Sequence, residues 1–151
     1  MKLAEALIAR ADIQKKIAQL RTRMEQNVKV QEGETPAEPI KELLPQYDRM
    51  MIDLETLIKR INRTNGSTAF GGGTLTDAIT ERDCIRGRIN AYRELYDKAM
   101  IRHTRYSRSE VKYVRCVDTV SLQEAIDSMS KQYRELDTKI QAANWTTELA
   151  E

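Results

Sequence analysis

Side chains suited to acid–base, nucleophilic or metal chemistry are few in this chain. His103 is its single histidine, which excludes a two-histidine metal site and the Glu-x-x-His pairs of di-iron bundles. It stands between Arg102 and Arg105, just past the expected end of a helix. A cation near the C-terminal dipole, or an exposed loop residue, is favoured there over a general base. Cys84 and Cys116 form neither a Cys-x-x-Cys pair nor a metal-ligand spacing, and read as reduced thiols in a core or a strand. No Gly-x-Ser-x-Gly elbow exists. We therefore assign no catalytic residue, metal site or cofactor.

Gly71-Gly72-Gly73-Thr74 before a helix invites comparison with a phosphate cradle. No strand precedes it and no Gly-Lys-Ser/Thr follows, so a flexible connector is favoured. Two further groups of residues are candidates for binding. Asn62, Arg63 and Asn65 at the end of one helix, Asp77, Glu81, Arg82 and Asp83 at the start of the next, and Asn144 with Trp145 after the last should converge at one pole. They could line a small-ligand pocket or form a capping network for helix ends; the capping network is favoured, with Arg63 and Arg82 paired to Asp77 or Glu81. The second group is basic: Lys98, Arg102, Arg105, Arg108, Lys112 and Arg115, with Tyr106 and Tyr113 interleaved as possible base-stacking platforms. A charged ribbon edge that blocks aggregation is the favoured alternative to nucleic acid.

Four helices have to position these residues. The first runs from about Lys2 to Gln26, with Leu3, Leu7, Ile13, Ile17, Leu20 and Met24 as its apolar stripe. The second, about Ile40 to Arg63, repeats Ile40, Tyr47, Leu54 and Ile61 every seven residues, with Leu43, Met50 and Leu57 three places after. Leu44, Met51 and Ile58 widen that seam, and Pro45 is tolerable in the first turns. The third runs from near Thr74, a plausible N-cap with Asp77 three residues on, to about Ile101. The fourth, about Ser121 to Ala143, repeats Leu122, Met129, Leu136 and Ala143. Between helices, Val28–Gln31 and Tyr106–Val117 alternate like strands and should pair as a ribbon. Asn65 to Gly73 reads as a mobile loop.

At 151 residues, with 32% charged and 5% aromatic residues, the chain suits one helical domain spanning 1–151. A net charge of +2 gives no global case for nucleic acid or an anionic membrane. Glu5, Arg10 and Asp12 interrupt any signal-peptide core, and no run approaches the roughly 20 apolar residues of a membrane span. A cytoplasmic protein is expected, with membrane association disfavoured.

Asn62-Arg63-Thr64-Asn65, Thr74-Leu75-Thr76-Asp77-Ala78 with Glu81-Arg82-Asp83, Tyr106-Ser107-Arg108-Ser109-Glu110-Val111-Lys112, and Ala143-Asn144-Trp145-Thr146-Thr147-Glu148-Leu149 resemble, in that order, a family of small bacterial proteins that carry the name septicolysin. The resemblance spans essentially the whole chain and brings no catalytic residues with it. The name implies a pore-forming or membrane-damaging protein.

The expected fold is all-α: an antiparallel four-helix bundle with a small two-stranded antiparallel β-ribbon at one end. An isolated ribbon leaves open edges, and Met50, Met51 and Ile52 cannot all face one core. With Val28, Val30 and Val114 they are the candidate oligomer surface. A non-enzymatic interaction protein forming a homo-oligomer is the favoured function. A nucleic-acid-binding module using Arg102–Arg115 and a membrane-active protein are the alternatives.

Overall fold

A computed structural model describes residues 1–100 and 112–151. Over these residues the chain is all-α, with one two-stranded antiparallel sheet. Its elements are α1 (Leu3–Asn27), α2 (Ile40–Ser67), β1 (Ala69–Phe70), β2 (Gly73–Thr74), α3 (Leu75–Ala99) and α4 (Thr119–Thr146). They divide into two compact units, Met1–Leu75 with Gln141–Glu151 and Thr76–Ile140, and each packs helix on helix as bundles do.

In the first unit α1 and α2 run antiparallel. Arg23, near the end of α1, binds Glu38 just ahead of α2, while the start of α1 and the last turns of α2 both meet the C-terminal segment. The seven-residue repeat of α2 explains which residues go inside: Leu54 and Ile61 are buried, and Thr64 takes the next inward place. Facing them, α1 buries Leu3, Ala4, Ala6 and Leu20. The small alanines let backbones approach, and each fully buried Leu or Ile contributes roughly 2 kcal/mol. A short backbone pairing closes the unit. Leu3 donates its N–H to the carbonyl of Thr147, and Leu149 donates to that of Met1, both at 2.9 Å, around an antiparallel bridge between Lys2 and Glu148.

The sheet is not the ribbon expected from the sequence. Val28–Gln31 is irregular and Lys112–Val117 is not a strand, while Tyr106–Val111 lies outside the described residues. The physical reason for the first lies in Asn27. Its amide donates to the carbonyl of Arg23 at 2.8 Å and its carbonyl accepts the N–H of Glu38 at 3.0 Å, so the connection folds back on itself. A turn from Gln31 to Glu34, with Gly33 at φ +88°, completes it. The sheet that does form pairs Ala69 with Thr74 and Phe70 with Gly73, inside the stretch expected to be a mobile loop. Gly71 and Gly72 both have positive φ, +54° and +89°. That is the backbone of a two-residue hairpin turn whose twist matches its strands.

In the second unit α3 and α4 form another antiparallel pair. Ile85 and Ile89 pack against Ile126 and Met129, with Tyr92, Tyr96, Tyr133 and Leu136 at the margins. The start of α4 is fixed by Asp118, whose carboxylate accepts the N–H of Val120 at 3.0 Å and the hydroxyl of Ser121 at 2.7 Å. Helix α4 thus begins two residues before the expected Ser121, and it continues through Trp145 to Thr146. Helix α2 likewise runs one turn beyond Arg63, where Thr64 and Ser67 return their hydroxyls to the carbonyls of Arg60 and Arg63.

Candidate functional site

The residues of the expected polar pole fall in both units. In the first, Asn62 and Arg63 are exposed on α2, and the Arg63 guanidinium donates to the backbone carbonyl of Glu151. The neighbouring Arg60 donates to the carbonyl of Ala150 at 2.9 Å. Trp145 is exposed on α4, while Asn144 beside it is buried. The side-chain oxygens of Asn65 and Asn144 are both buried with no hydrogen-bond donor among the described residues. Thr64, which the sequence did not single out, is only 2% exposed and holds the C-terminal segment through its hydroxyl.

In the second unit Arg82 does not pair with Asp77 or Glu81 as expected. Its guanidinium bridges Asp83 at 2.9 Å and Asp137 at 3.0 Å, tying α3 to α4. Those two carboxylates hold its pKa above the ordinary value against the opposing pull of burial. Asp77 and Glu81 are exposed on the first turns of α3. Arg82 thus braces α3 to α4, a link that the capping reading did not name.

Of the expected basic ribbon, Arg102, Arg105, Arg108, Tyr106 and His103 lie outside the described residues. Lys112, Tyr113 and Arg115 are exposed. Arg115 donates to the carbonyl of Ala99 at 3.0 Å, satisfying a free acceptor at the end of α3. Both thiols are exposed and free, so Cys84 is not a core residue and Cys116 is not in a strand.

The candidate oligomer surface is largely in solvent. Met50 is half-buried, but Met51, Ile52, Val28, Val30 and Val114 are exposed, and so is Leu44 at 45%. Between the end of α1 and the start of α2 lies a groove of about 450 Å³ whose floor is Met24, Val28, Ile40, Leu44 and Tyr47. Arg21 and Glu25 stand on its rim and pair with each other at 3.1 Å. Such an arrangement offers apolar area to a helix and no reactive group.

A second groove, of about 430 Å³, was missed at the sequence level. It runs between α3 and α4 and is lined by Arg86, Asn90, Arg93, Ser130, Tyr133 and Arg134, with Ile89 beneath. Spacing within each helix, with Arg86 and Arg93 seven apart on α3 and Ser130 and Arg134 four apart on α4, did not by itself mark the groove. It could be read only once the two helices were known to be neighbours. Among the described residues no group of His, Cys, Asp and Glu could hold a metal ion, and no helix is long and apolar enough to cross a membrane.

Comparison with known proteins gives two findings. The model of a family of unknown function, DUF6847, matches residues 10–149. A crystal structure of a functionally unknown conserved protein from Corynebacterium diphtheriae is similar to the chain at 40% identity, with 99% of each chain covered and a TM-score of 0.90. No curated protein matches. Neither finding carries the septicolysin name suggested by the sequence resemblance.

Proposed function

The chain belongs to the family of unknown function DUF6847, and from that premise we propose that it is an interaction protein that assembles with copies of itself through the apolar edge of α1 and α2. One observation carries the reading. Leu44 and Met51, seven residues apart on the best heptad of the chain, remain 45% and 39% exposed beside an apolar groove, with Ile52 at 63% on their flank. A heptad seam wider than its intramolecular partner can cover is the usual mark of a second helix partner. Burying what is left of each of these three side chains would contribute roughly 1 kcal/mol. Association costs several times that, so the contact has to run along the seam and include Val28 and Tyr47.

Light scattering coupled to size-exclusion chromatography tests this, on the native chain and on Leu44→Asp and Met51→Asp, at low and high salt. A discrete oligomer that resists salt and dissociates in both variants is expected. A native monomer at tens of micromolar concentration would sink the proposal.

A second reading rests on Tyr113, 77% exposed between Lys112 and Arg115. An aromatic face in a basic setting suits single-stranded nucleic acid. Salt-sensitive retention of an oligonucleotide, lost in Tyr113→Ala, would favour it. The membrane-damaging role implied by the septicolysin resemblance would instead require leakage from liposomes. We take the location to be cytoplasmic, because two exposed, unpaired thiols suit a reducing compartment.

A further inference from the structure

We infer that the groove between α3 and α4 is a binding site for a small phosphate-bearing ligand. Arg86, Arg93 and Arg134 line it, and no carboxylate does. Like charges gathered at one groove repel unless an anion or bulk water separates them. Among the described residues several other arginines are tied to carboxylates, although Arg10, Arg49 and Arg88 form no ion pair either. Arg21 binds Glu25, Arg23 binds Glu38, and Arg82 binds Asp83 and Asp137. Arg93 and Arg134 form no ion pair among the described residues.

Two further features point to a ligand. Ser130 lines this groove, and its hydroxyl oxygen is turned away from solvent with no hydrogen-bond partner among the described residues. A buried hydroxyl left alone is unfavourable, and rotation about the single side-chain torsion of Ser130 would turn it into the groove, where a bound oxygen would satisfy it. Arg86 is held in place: it donates to the Tyr133 hydroxyl, and its guanidinium carbon lies 5.1 Å from that ring's centroid. A preorganised guanidinium loses little freedom when it accepts an anion. The planar forks of Arg93 and Arg134 suit the oxygens of a phosphate, and Asn90 adds a neutral donor.

The surroundings set the size of the ligand. A volume of about 430 Å³ suits a small molecule. Asp97 lies one turn beyond Arg93 and Asp127 one turn before Ser130, both exposed. Their charges would repel the phosphates of an extended nucleic-acid strand leaving the groove.

Isothermal titration with inorganic pyrophosphate as the probe tests the assignment, with sulfate at matched ionic strength as the control. The native chain, Arg93→Gln, Arg134→Gln, Ser130→Ala and Arg88→Gln are compared. Arg88 is exposed on α3 and does not line the groove, so Arg88→Gln measures general electrostatics. Saturable pyrophosphate binding is expected, weakened at least tenfold in each arginine groove variant, weakened also in Ser130→Ala, and unchanged in Arg88→Gln. Circular dichroism of each variant checks that the helices are intact. No heat of binding, or equal weakening in Arg88→Gln, overturns the site. Binding of single-stranded RNA tighter than pyrophosphate and equally dependent on Arg93 would also overturn it, in favour of a nucleic-acid surface.

Discussion

Ala150 donates its backbone N–H to the hydroxyl of Thr64 at 2.9 Å, across a separation of 86 residues, and that hydroxyl in turn donates to the carbonyl of Arg60 at 2.8 Å. Thr64 is 2% exposed, so water cannot replace it. Thr64→Val keeps the shape and removes the acceptor, leaving a partly buried N–H without a partner. Urea denaturation should show a loss of about 1–3 kcal/mol. Thr64→Ser should recover most of it, and a Val variant as stable as the native chain would contradict this account.

The two partners of Arg82 are not equivalent. The Arg82 side chain is 17% exposed, that of Asp137 31% and that of Asp83 53%. A charge-assisted bond on the drier side is screened less. Asp137→Asn should therefore destabilise the second unit by about 1–2 kcal/mol, and Asp83→Asn by no more than about 0.5 kcal/mol. Thermal melts of the two variants side by side decide it; the reverse ranking would show that the exposed Asp83 pair outweighs the link to α4.

Acid should loosen the start of α4. Hydrogen bonds from the Ser121 hydroxyl and from the N–H groups of Ser121 and Val120 hold the Asp118 carboxyl below its ordinary pKa. Arg23 does the same for Glu38, and Lys2 for Glu148. A carboxyl whose folded pKa is depressed stabilises the fold above the unfolded pKa, and that stabilisation is lost as pH falls through the folded value. The native chain should therefore lose stability below the ordinary carboxylate range. In Asp118→Ala the deficit seen at neutral pH should shrink as pH falls. A gap that stays constant from pH 7 to pH 3 would show that the cap is not ionic.

Gly72 stands at φ +89° in the hairpin turn. Nothing crowds the position a Cβ would take, so the backbone conformation alone penalises substitution. Gly72→Ala should cost about 1 kcal/mol, and Gly66→Ala, within α2 and at ordinary φ, should stabilise slightly. Melting temperatures of the pair should move in opposite directions.

What the sequence disclosed follows the range of the interactions involved. The seven-residue recurrence through Leu54 and Ile61 placed α2 and its inward face, because helix periodicity is a local property. Val28–Gln31 alternated like a strand, yet Asn27 spent its amide on closing the loop, a choice that depends on Glu38 standing eleven residues on. The hairpin was legible in principle, since Gly71-Gly72 between two short runs is hairpin chemistry; reading the glycines as flexibility hid it. The Arg82–Asp137 brace and the Arg86, Arg93 and Arg134 groove were not legible. Both require knowing which turn of α4 faces which turn of α3, and no spacing within one helix encodes that.

The bridge between Lys2 and Glu148 has a consequence in time as well as space. Synthesis delivers α1 and α2 early, but the segment that covers them, Gln141–Glu151, leaves the ribosome only after the whole second unit has been made. For that interval the edge around Met1, Leu3 and Thr64 lacks its final backbone partners. The first unit is thus begun before the second and finished after it, and a nascent polypeptide halted near Ile140 would hold that edge without its backbone partner.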